Sequence, residues 1–456
     1  MITQQNTSKF REMSRRRWLM RYLILTTIAV VLMVKIYFMI FVIDFTVGFY
    51  SVLTTSILFT LFSVSFLKYK DPFIEIEKDR QSNERPLVSI VIPVKNEEGN
   101  IERCIESCIN SSYTNKEIIV VDDASTDKTP IILEQIKKRF EKLIIIHLSK
   151  NLGKKHAIKE ATKIAKGEFY FFMDSDCNMT TKAVENAVKI FLSDKEVGAI
   201  TAHGRVRDAE KGNLLEKIQD VWFDGQYRIL KGMESSFSSI TCCSGALSAF
   251  RREAIQPYIH DWANDRFAGI EFRFATDRRL TAFVLGKKSE NMEYDTKNSP
   301  NIENMSRKQR YCWKLKYSTS VNVEIGVPET LRSLIKQQIR WRKSFIRSIF
   351  ATGSIYWYRP LPAALFYYFT IVLRLFRPYI IIKSLIMLPL SGDYLSGLTY
   401  LSGAAFAGLM YGIDVRLRRP GYPRWFYRPL MNLLSTFFFT WLLIYAAITI
   451  RNKTWR

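Results

Sequence analysis

The chain has 456 residues, of which 48% are hydrophobic, 14% aromatic and 24% charged, and its formal net charge is +24. This mixture is typical of a membrane protein with a substantial soluble domain. Basic clusters at 15–17, 68–70 and 416–419 flank apolar stretches, as the positive-inside rule produces, so the charge does not call for a nucleic-acid partner. Six cysteines without a CxxC pair argue against a structural zinc site and favour reduced cytosolic thiols.

Two apolar stretches, 19–43 and 45–67, open the chain. Each is long enough to cross a bilayer at roughly 20 residues per crossing. Basic residues before the first stretch and after the second place both flanks in the cytosol. The sequence therefore predicts an N-terminal membrane region, 1–70, with two transmembrane helices and no cleaved signal peptide.

Short apolar runs alternate with helical patterns from residue 84 to 327. The predicted strands are 88–93, 117–121, 143–147 and a run that begins at Phe169 and ends on Asp174. Strands and helices at this spacing indicate an α/β domain with a parallel, helix-covered sheet. Because this region follows the second apolar stretch, whose basic flank lies in the cytosol, we expect it to face the cytosol.

The fourth predicted strand ends on two carboxylates, Asp174 and Asp176. Side chains alternate along a strand, so the two can point the same way, roughly 7 Å apart. Two neighbouring carboxylates repel unless a cation lies between them, and a hard divalent ion that also binds phosphate is the usual solution. Solvated aspartates at a strand end are the alternative interpretation.

Two further loops indicate a nucleotide site. The loop 122–127 contributes carboxylates for a base and a ribose, and the turn 153–155 contributes lysines for phosphate. Neither a P-loop nor a GxGxxG pattern is present, which disfavours an ATPase or a dinucleotide-binding enzyme.

Beyond residue 327 the sequence alternates between basic amphipathic and apolar segments. The region 328–360 predicts amphipathic helices at the cytosolic membrane surface. The region 361–456 contains apolar stretches at 361–390, 394–413 and 430–450. Three crossings would place the basic C-terminus outside, so we expect two to three transmembrane or re-entrant helices, one of them not a simple crossing.

Seven motifs in order resemble the family 2 processive glycosyltransferases, which include hyaluronan, chitin, cellulose and nodulation chitooligosaccharide synthases. The motifs are VIPVKNEE (91–98), VDDASTD (121–127), NLGKKHA (151–157), DSD (174–176), CCSGAL (242–247), ATDRRLT (275–281) and QQIRW (337–341). The stretches 244–248, 261–269 and 277–281 are most similar to hyaluronan synthases. Each motif alone is weak, whereas the ordered set ending in QxxRW is specific.

The resemblance implies a cytosolic GT-A glycosyltransferase domain, Rossmann-like with a mostly parallel sheet, inserted between transmembrane helices. It implies an inverting, processive synthase of the cell membrane that takes UDP-sugars, extends a polysaccharide and passes it across the bilayer, with Mg²⁺ or Mn²⁺ as cofactor. Hyaluronan, from UDP-GlcNAc and UDP-GlcA, is the expected product. The alternatives are a chitin- or cellulose-like homopolymer synthase, a polyprenyl-phosphate glycosyltransferase and an inactive membrane scaffold.

The resemblance also implies roles for individual residues. Asp277 would be the general base, and Asp176 and Asp174 would hold the metal. The donor residues would be Pro93, Val94, Asn96, Glu97, Asp122, Asp123, Lys154, Asp174, Ser175, Arg340 and Trp341. The acceptor residues would be Ser244, Gly245, Gln337 and Trp341, with Trp341 stacking on a sugar; a tryptophan of the membrane interface is the alternative.

Two departures from the family pattern stand out. Thr276 precedes the predicted base where the family usually has an acidic residue. The tail ends at Trp455-Arg456, where hyaluronan synthases continue into a gating loop. We expect Trp455 to act either as a partial clamp over the donor or as a membrane-interface anchor.

Overall fold

A computed structural model describes residues 2–76, 84–273, 276–286 and 313–452, with side chains described from residue 15 onward. The strands are β1 (Val88–Val94), β2 (Lys116–Asp122), β3 (Leu143–His147), β4 (Phe169–Phe172), β5 (Asn178–Met179), β6 (Val197–Val206), β7 (Ser248–Arg251), β8 (Arg266–Phe267), β9 (Ile270–Glu271) and β10 (Lys314–Ile325).

Among the described residues, nine α-helices precede β7 in the chain. These are α1 (Ile2–Phe41), α2 (Phe45–Leu67), α3 (Pro72–Ile76), α4 (Ile101–Ile109), α5 (Thr129–Arg139), α6 (Lys154–Ile164), α7 (Ala183–Ser193), α8 (Leu214–Gly225) and α9 (Gly232–Ser236). The second half is α10 (Arg252–Ile255), α11 (Ile259–Ala263), α12 (Thr276–Leu285), α13 (Leu331–Tyr356), α14 (Leu361–Ile382), α15 (Leu388–Leu390), α16 (Tyr394–Arg418), α17 (Arg428–Leu434) and α18 (Leu442–Ile448). π-Helical turns occupy Gln226–Lys231, Lys383–Met387 and Ser435–Phe439.

The central sheet has eight strands in the order β3-β2-β1-β4-β7-β6-β10-β5. Strands β3, β2, β1 and β4 are parallel, whereas β7 runs antiparallel to both of its neighbours. The predicted α/β class is confirmed. All seven residues of β1 are buried, as expected for a central strand covered by helices on both faces.

The alternation of side chains along β1 divides the core into two layers. Ile90 and Ile92 pack on one face with Ile101 and Ile105 of α4. Val91 packs on the opposite face, in the layer that α6 covers. Strands β2 and β4 both run parallel to β1. Their acidic carboxyl ends therefore lie at the same edge of the sheet, which is where open α/β sheets bind ligands.

Within the described residues, two helical segments are long and apolar enough to cross a membrane, Arg15–Phe41 and Phe45–Ile76. A third candidate is the helix pair Trp425–Phe439 and Leu442–Ile448, which is bent by 42° at the break between the two helices. Of the three apolar stretches expected beyond residue 360, only the last meets these requirements, and only as a bent pair. Small polar residues lower the hydropathy of α16, and α14 contains two arginines and Pro378.

The apolar helices α1 and α2 pack directly on the α/β domain. Ile28 of α1 and Phe62 of α2 share one buried cluster with Met233 of α9 and Met410 of α16. The C-terminal helix α18 packs on α13, and the Lys343 ammonium donates a hydrogen bond to the Asn452 carbonyl, 3.1 Å away. The end of the described chain is therefore fastened to the helix that carries QxxRW.

Candidate active site

One large cavity, of about 1120 Å³, opens at the carboxyl ends of β1 and β4 and extends between α13 and the apolar helices α2, α14 and α16. It collects residues from all seven motifs. Those predicted from the sequence are Pro93, Val94, Asn96, Glu97, Asp123, Lys154, Asp174, Ser175, Asp176, Ser244, Gly245, Asp277, Gln337, Arg340 and Trp341. Asp122 lies outside this cavity, and Trp455 lies outside the described residues.

The loops after β1 and β2 hold each other in place. Asn96 adopts a left-handed φ of 53°, and its side-chain oxygen accepts a hydrogen bond from the Thr126 amide at 2.8 Å. Asp123 accepts hydrogen bonds from the backbone amides of Leu152 and Gly153, at 2.6 and 2.8 Å. Burial raises the pKa of Asp123, and these two hydrogen bonds oppose the increase. Asp123 is thus a fixed acceptor at the cavity wall.

The neighbouring carboxylate of Asp122 has a different set of contacts. It accepts a hydrogen bond from the Ser125 amide at 3.0 Å and lies 3.0 Å from the His147 ring. Its side chain is 4% exposed. Of the two alternatives for a nucleobase contact, Asp123 is therefore the one placed at the cavity, and Asp122 shapes the loop behind it.

Three charged side chains meet at the centre of the cavity. The Lys154 ammonium lies 2.5 Å from Asp174 Oδ1 and 3.4 Å from Asp277 Oδ1. Burial alone would lower the pKa of Lys154, but the two carboxylates outweigh it and raise that pKa above its usual value. Burial raises the pKa of Asp174, and Lys154 opposes that increase. The lysine therefore stays protonated and bridges the two carboxylates.

The second carboxylate of the DSD motif is held from behind. The Cys177 thiol lies 3.2 Å from Asp176 Oδ1, and Arg207 donates a hydrogen bond to the Asp176 carbonyl at 3.2 Å. Arg207 is itself bound to the Asn100 side chain at 3.0 Å. These contacts fix the turn after β4 and leave the Asp176 carboxylate on the cavity wall.

The two carboxylates fit a hard divalent cation by the chemistry of their oxygen donors. Among the described residues, no group of three or more His, Cys, Asp or Glu side chains could hold a metal ion. Asp174 and Asp176 would therefore supply only part of a coordination shell. A magnesium-like ion bound by one or two carboxylates usually completes its shell with substrate phosphates and water.

The QxxRW motif lies on α13 and faces the cavity. Trp341 stacks on Trp222 of α8, with ring centroids 5.8 Å apart and an interplanar angle of 22°, and meets Phe223 edge-on. Burial lowers the pKa of Arg340, and the nearby Asp174 and Asp176 oppose the decrease. The buried Oε1 of Gln337 has no hydrogen-bond partner among the described residues. The motif thus offers an aromatic face, a cation and an unused acceptor.

A group of arginines lines the part of the cavity that extends toward α14. Burial and the charges of Arg374, Arg377 and Arg278 lower the pKa of Arg342 to about 10. All four line the cavity, and Arg278 directly follows the predicted base. We call these four residues the arginine row. Their mutual repulsion within one cavity favours an anionic occupant.

The Glycosyl transferase family 2 profile matches residues 89–259, which contain the sheet edge and five of the seven motifs. The chain therefore contains a family 2 glycosyltransferase domain. It is 27% identical to a hyaluronan synthase of Streptococcus pyogenes over 416 residues, which are 90% of each chain. It is also 26% identical over 254 residues to a poly-beta-1,6-N-acetyl-D-glucosamine synthase of Staphylococcus epidermidis, covering 56% of this chain and 53% of that one.

A solved structure with a similar fold is a mannosyltransferase from Pyrobaculum calidifontis, determined in complex with GDP-Man and Mn²⁺. The TM-score is 0.50 at 20% sequence identity, and the match covers 88% of this chain and 99% of that one. At this identity the likeness supports the GT-A-like fold. The resemblance drawn from the motifs, to family 2 synthases and hyaluronan synthases in particular, is confirmed by the family 2 profile and by the streptococcal relative.

Several cavity residues of this family 2 enzyme were missed by sequence reasoning. Trp222 and Phe223 lie on α8, whose residues match no motif, so no local signal marked them. The arginines of α14 lie in the apolar stretch 361–390, which the sequence predicts only as a transmembrane or re-entrant segment. Tyr227, which donates a hydrogen bond to Ser244 at 2.8 Å, was also missed. Each becomes recognisable only when α8, α13 and α14 are brought together.

Proposed function

We propose that the chain is a processive membrane polysaccharide synthase that transfers sugars from UDP-activated donors to a growing chain and passes that chain through its own membrane helices. The observation that carries the proposal is the single cavity that joins the carboxylate centre, the QxxRW face and the arginine row. A soluble glycosyltransferase needs the first of these features only. The similarity to hyaluronan synthases along 90% of the chain supports the same conclusion.

The residues at the carboxylate centre suit an inverting transfer. Asp277 would accept the proton of the acceptor hydroxyl while that oxygen bonds to C1 of the donor sugar and UDP departs. Asp123 would accept a hydrogen bond from the uracil. Lys154, freed from one carboxylate, would bind the diphosphate, and Trp341 would carry the acceptor ring.

Asp174 and Asp176 would hold Mg²⁺ or Mn²⁺ together with the donor diphosphate, with Asp176 as the more direct ligand. When bound, a divalent ion neutralises the charge that develops on the departing nucleotide. The Mn²⁺ in the mannosyltransferase of similar fold supports a divalent cofactor and leaves the choice between the two ions to experiment.

The arginine row supports an anionic polymer as the product. A glucuronate in every second position gives hyaluronan a regular series of carboxylates, and guanidinium groups bind carboxylates with matched geometry. A neutral homopolymer of N-acetylglucosamine has no group that would use the four arginines that line the cavity. Hyaluronan is therefore our proposed product, made from UDP-GlcNAc and UDP-GlcA.

The proposed topology places both termini and the catalytic domain in the cytosol of a cell-membrane protein. In it α1, α2, α14 and α16 cross the bilayer, and the bent segment 425–448 re-enters. Both ends of the segment 425–448 contact helices that line the cavity, since α17 packs on α8 and α18 packs on α13. The proposed domains are the N-terminal membrane region 1–70, the catalytic domain 84–327, the amphipathic region 328–360 and the C-terminal membrane region 361–456.

The proposal is tested by UDP release from the purified protein in detergent or nanodiscs. We expect sustained release only when UDP-GlcNAc and UDP-GlcA are supplied together, and a polymer that hyaluronidase degrades. An equal yield of polymer from UDP-GlcNAc alone, resistant to hyaluronidase, would refute hyaluronan as the product. Chitinase and a poly-β-1,6-N-acetylglucosamine hydrolase would then identify the linkage, the latter because of the similarity to the staphylococcal synthase.

A further inference from the structure

The carboxylate of Asp277 is held on both of its oxygens. The Gly245 amide donates a hydrogen bond to Oδ2 at 3.1 Å. The Thr276 hydroxyl donates to Oδ1 at 2.9 Å, and the Lys154 ammonium lies 3.4 Å from the same oxygen. The side-chain torsion of an aspartate next to its carboxyl group is soft, so its orientation depends on such contacts.

Thr276 is itself fixed. It is 8% exposed, and its carbonyl accepts a hydrogen bond at 2.8 Å from the indole of Trp262, which is fully buried. The first turn of α12 is thereby tied to α11. A hydroxyl at this position donates a hydrogen bond to the neighbouring carboxylate, which an acidic side chain in its ionised form would repel.

Thr281 provides a second attachment one turn along α12. Its hydroxyl is fully buried, donates to the Asp277 carbonyl at 2.7 Å and accepts from the Cys243 amide at 2.8 Å. Two residues later, the Gly245 carbonyl accepts from the Asp174 amide at 3.0 Å. The segment 243–245 therefore connects the start of α12 to the end of β4, the two elements that carry the opposing carboxylates.

We propose that Thr276 and Thr281 are positioning residues for the transfer step. Thr276 sets the orientation of the Asp277 carboxylate, and Thr281 sets the distance between α12 and the segment 243–245. This inference rests on the proposed role of Asp277 as the base. In that step the acceptor O–H bond breaks, its proton moves to Asp277, the new bond forms between that oxygen and C1, and the C1–phosphate bond breaks to release UDP.

Among the described residues, neither threonine is hydrogen-bonded to a residue proposed to bind the nucleotide, so their loss should affect turnover and not donor affinity. A hydrogen bond to a charged group contributes enough free energy that its removal should slow the reaction by roughly 10- to 100-fold. A displacement of the base by about 1 Å has an effect of similar size, about 100-fold. We therefore expect kcat to fall within that range in Thr276→Val, while the KM for each UDP-sugar and the affinity for UDP stay near their wild-type values.

The test compares Thr276→Val, Thr276→Ser, Thr281→Val and Thr281→Ser in the full-length protein. Valine keeps the shape and removes the hydroxyl, whereas serine keeps the hydroxyl, so serine should restore most of the turnover. Thr162→Val is the matched control, because Thr162 is also buried and its hydroxyl, among the described residues, binds only the Lys159 carbonyl of its own helix. Thermal stability is measured on every variant, and Thr276→Val and Thr281→Ser keep the test decisive if Thr281→Val does not fold.

Unchanged kcat in both valine variants overturns the proposal, as does a loss of UDP affinity that accounts for the whole defect. Failure of serine to rescue turnover also overturns it. Asp277→Asn separates this inference from the proposed function. If that variant is inactive and the valine variants are fully active, only the positioning role fails; if Asp277→Asn is fully active, the base assignment itself fails.

Discussion

Gly245 is the position at which a single added methyl group should test the geometry of the carboxylate centre most directly. A Cβ there would lie 2.7 Å from the Lys154 ammonium and 2.8 and 2.9 Å from the two carboxylate oxygens of Asp277. Ordinary van der Waals contact begins at 3.4 Å, and the three distances are 0.5 to 0.7 Å shorter than that (3.4 − 2.9 and 3.4 − 2.7). The groups must therefore move by roughly 0.5–0.7 Å. The groups that must move are the proposed base and its lysine neighbour.

The expected cost in turnover follows from that displacement. A misplacement of about 1 Å can cost about 100-fold in rate, so Gly245→Ala should lower kcat by roughly 10- to 100-fold. The backbone of Gly245 is not in the left-handed region, and the clashing atoms lie at the ends of side chains, so the fold should be retained. The loss should therefore appear in kcat with little change in melting temperature.

The assay is initial-rate UDP release, together with UDP binding by calorimetry and thermal unfolding of the same preparations. Gly99→Ala is the matched control, since a Cβ at Gly99 meets no atom within 4 Å. Gly245→Ala with wild-type kcat would refute the reasoning, because Lys154 and Asp277 would then tolerate displacement without consequence. Equal losses in both variants would refute it as well.

Four other changes have defined outcomes. Asp277→Asn should lower transfer by about 10²–10⁴-fold with UDP binding intact, and loss of UDP binding instead would make Asp277 a donor ligand. Asp176→Asn should lower turnover by orders of magnitude, and EDTA should stop the wild-type enzyme; normal polymerisation in EDTA would contradict the metal assignment. Trp455→Ala should lower polymerisation at unchanged expression if Trp455 is a clamp, whereas full activity with lower membrane stability would favour an anchor. Burial lowers the pKa of His203 to about 3, so the unfolded chain, with an ordinary value near 6.5, binds the proton first. Stability should therefore fall as the pH drops below about 6.5, by about 2 kcal/mol at about pH 5, and a His203→Gln variant should lose that pH-dependent part in thermal unfolding.

The sequence alone determined the class of the domain and the strand ends at which its chemistry lies. The buried run 169–173 followed by Asp174 and Asp176 is a local pattern, because a change from apolar to acidic residues at a strand end is visible within eight positions. The same holds for the loop after β2 and for the amphipathic pattern of α13. The ordered motifs also identified the family before any contact was known.

Only the tertiary structure decided which of these residues meet. Lys154 and Asp277 are 123 positions apart in the chain, and no periodicity relates them. The stacking of Trp222 on Trp341 depends on how α8 and α13 pack, and the choice of Asp123 over Asp122 depends on which carboxylate the turn at Gly153 covers. The position of the α14 arginines at the cavity also depends on packing. The pattern along one helix indicates its hydropathy and does not indicate which cavity it faces. Such contacts arise from packing between residues that are far apart in the chain. The local sequence around each residue therefore does not indicate its partner.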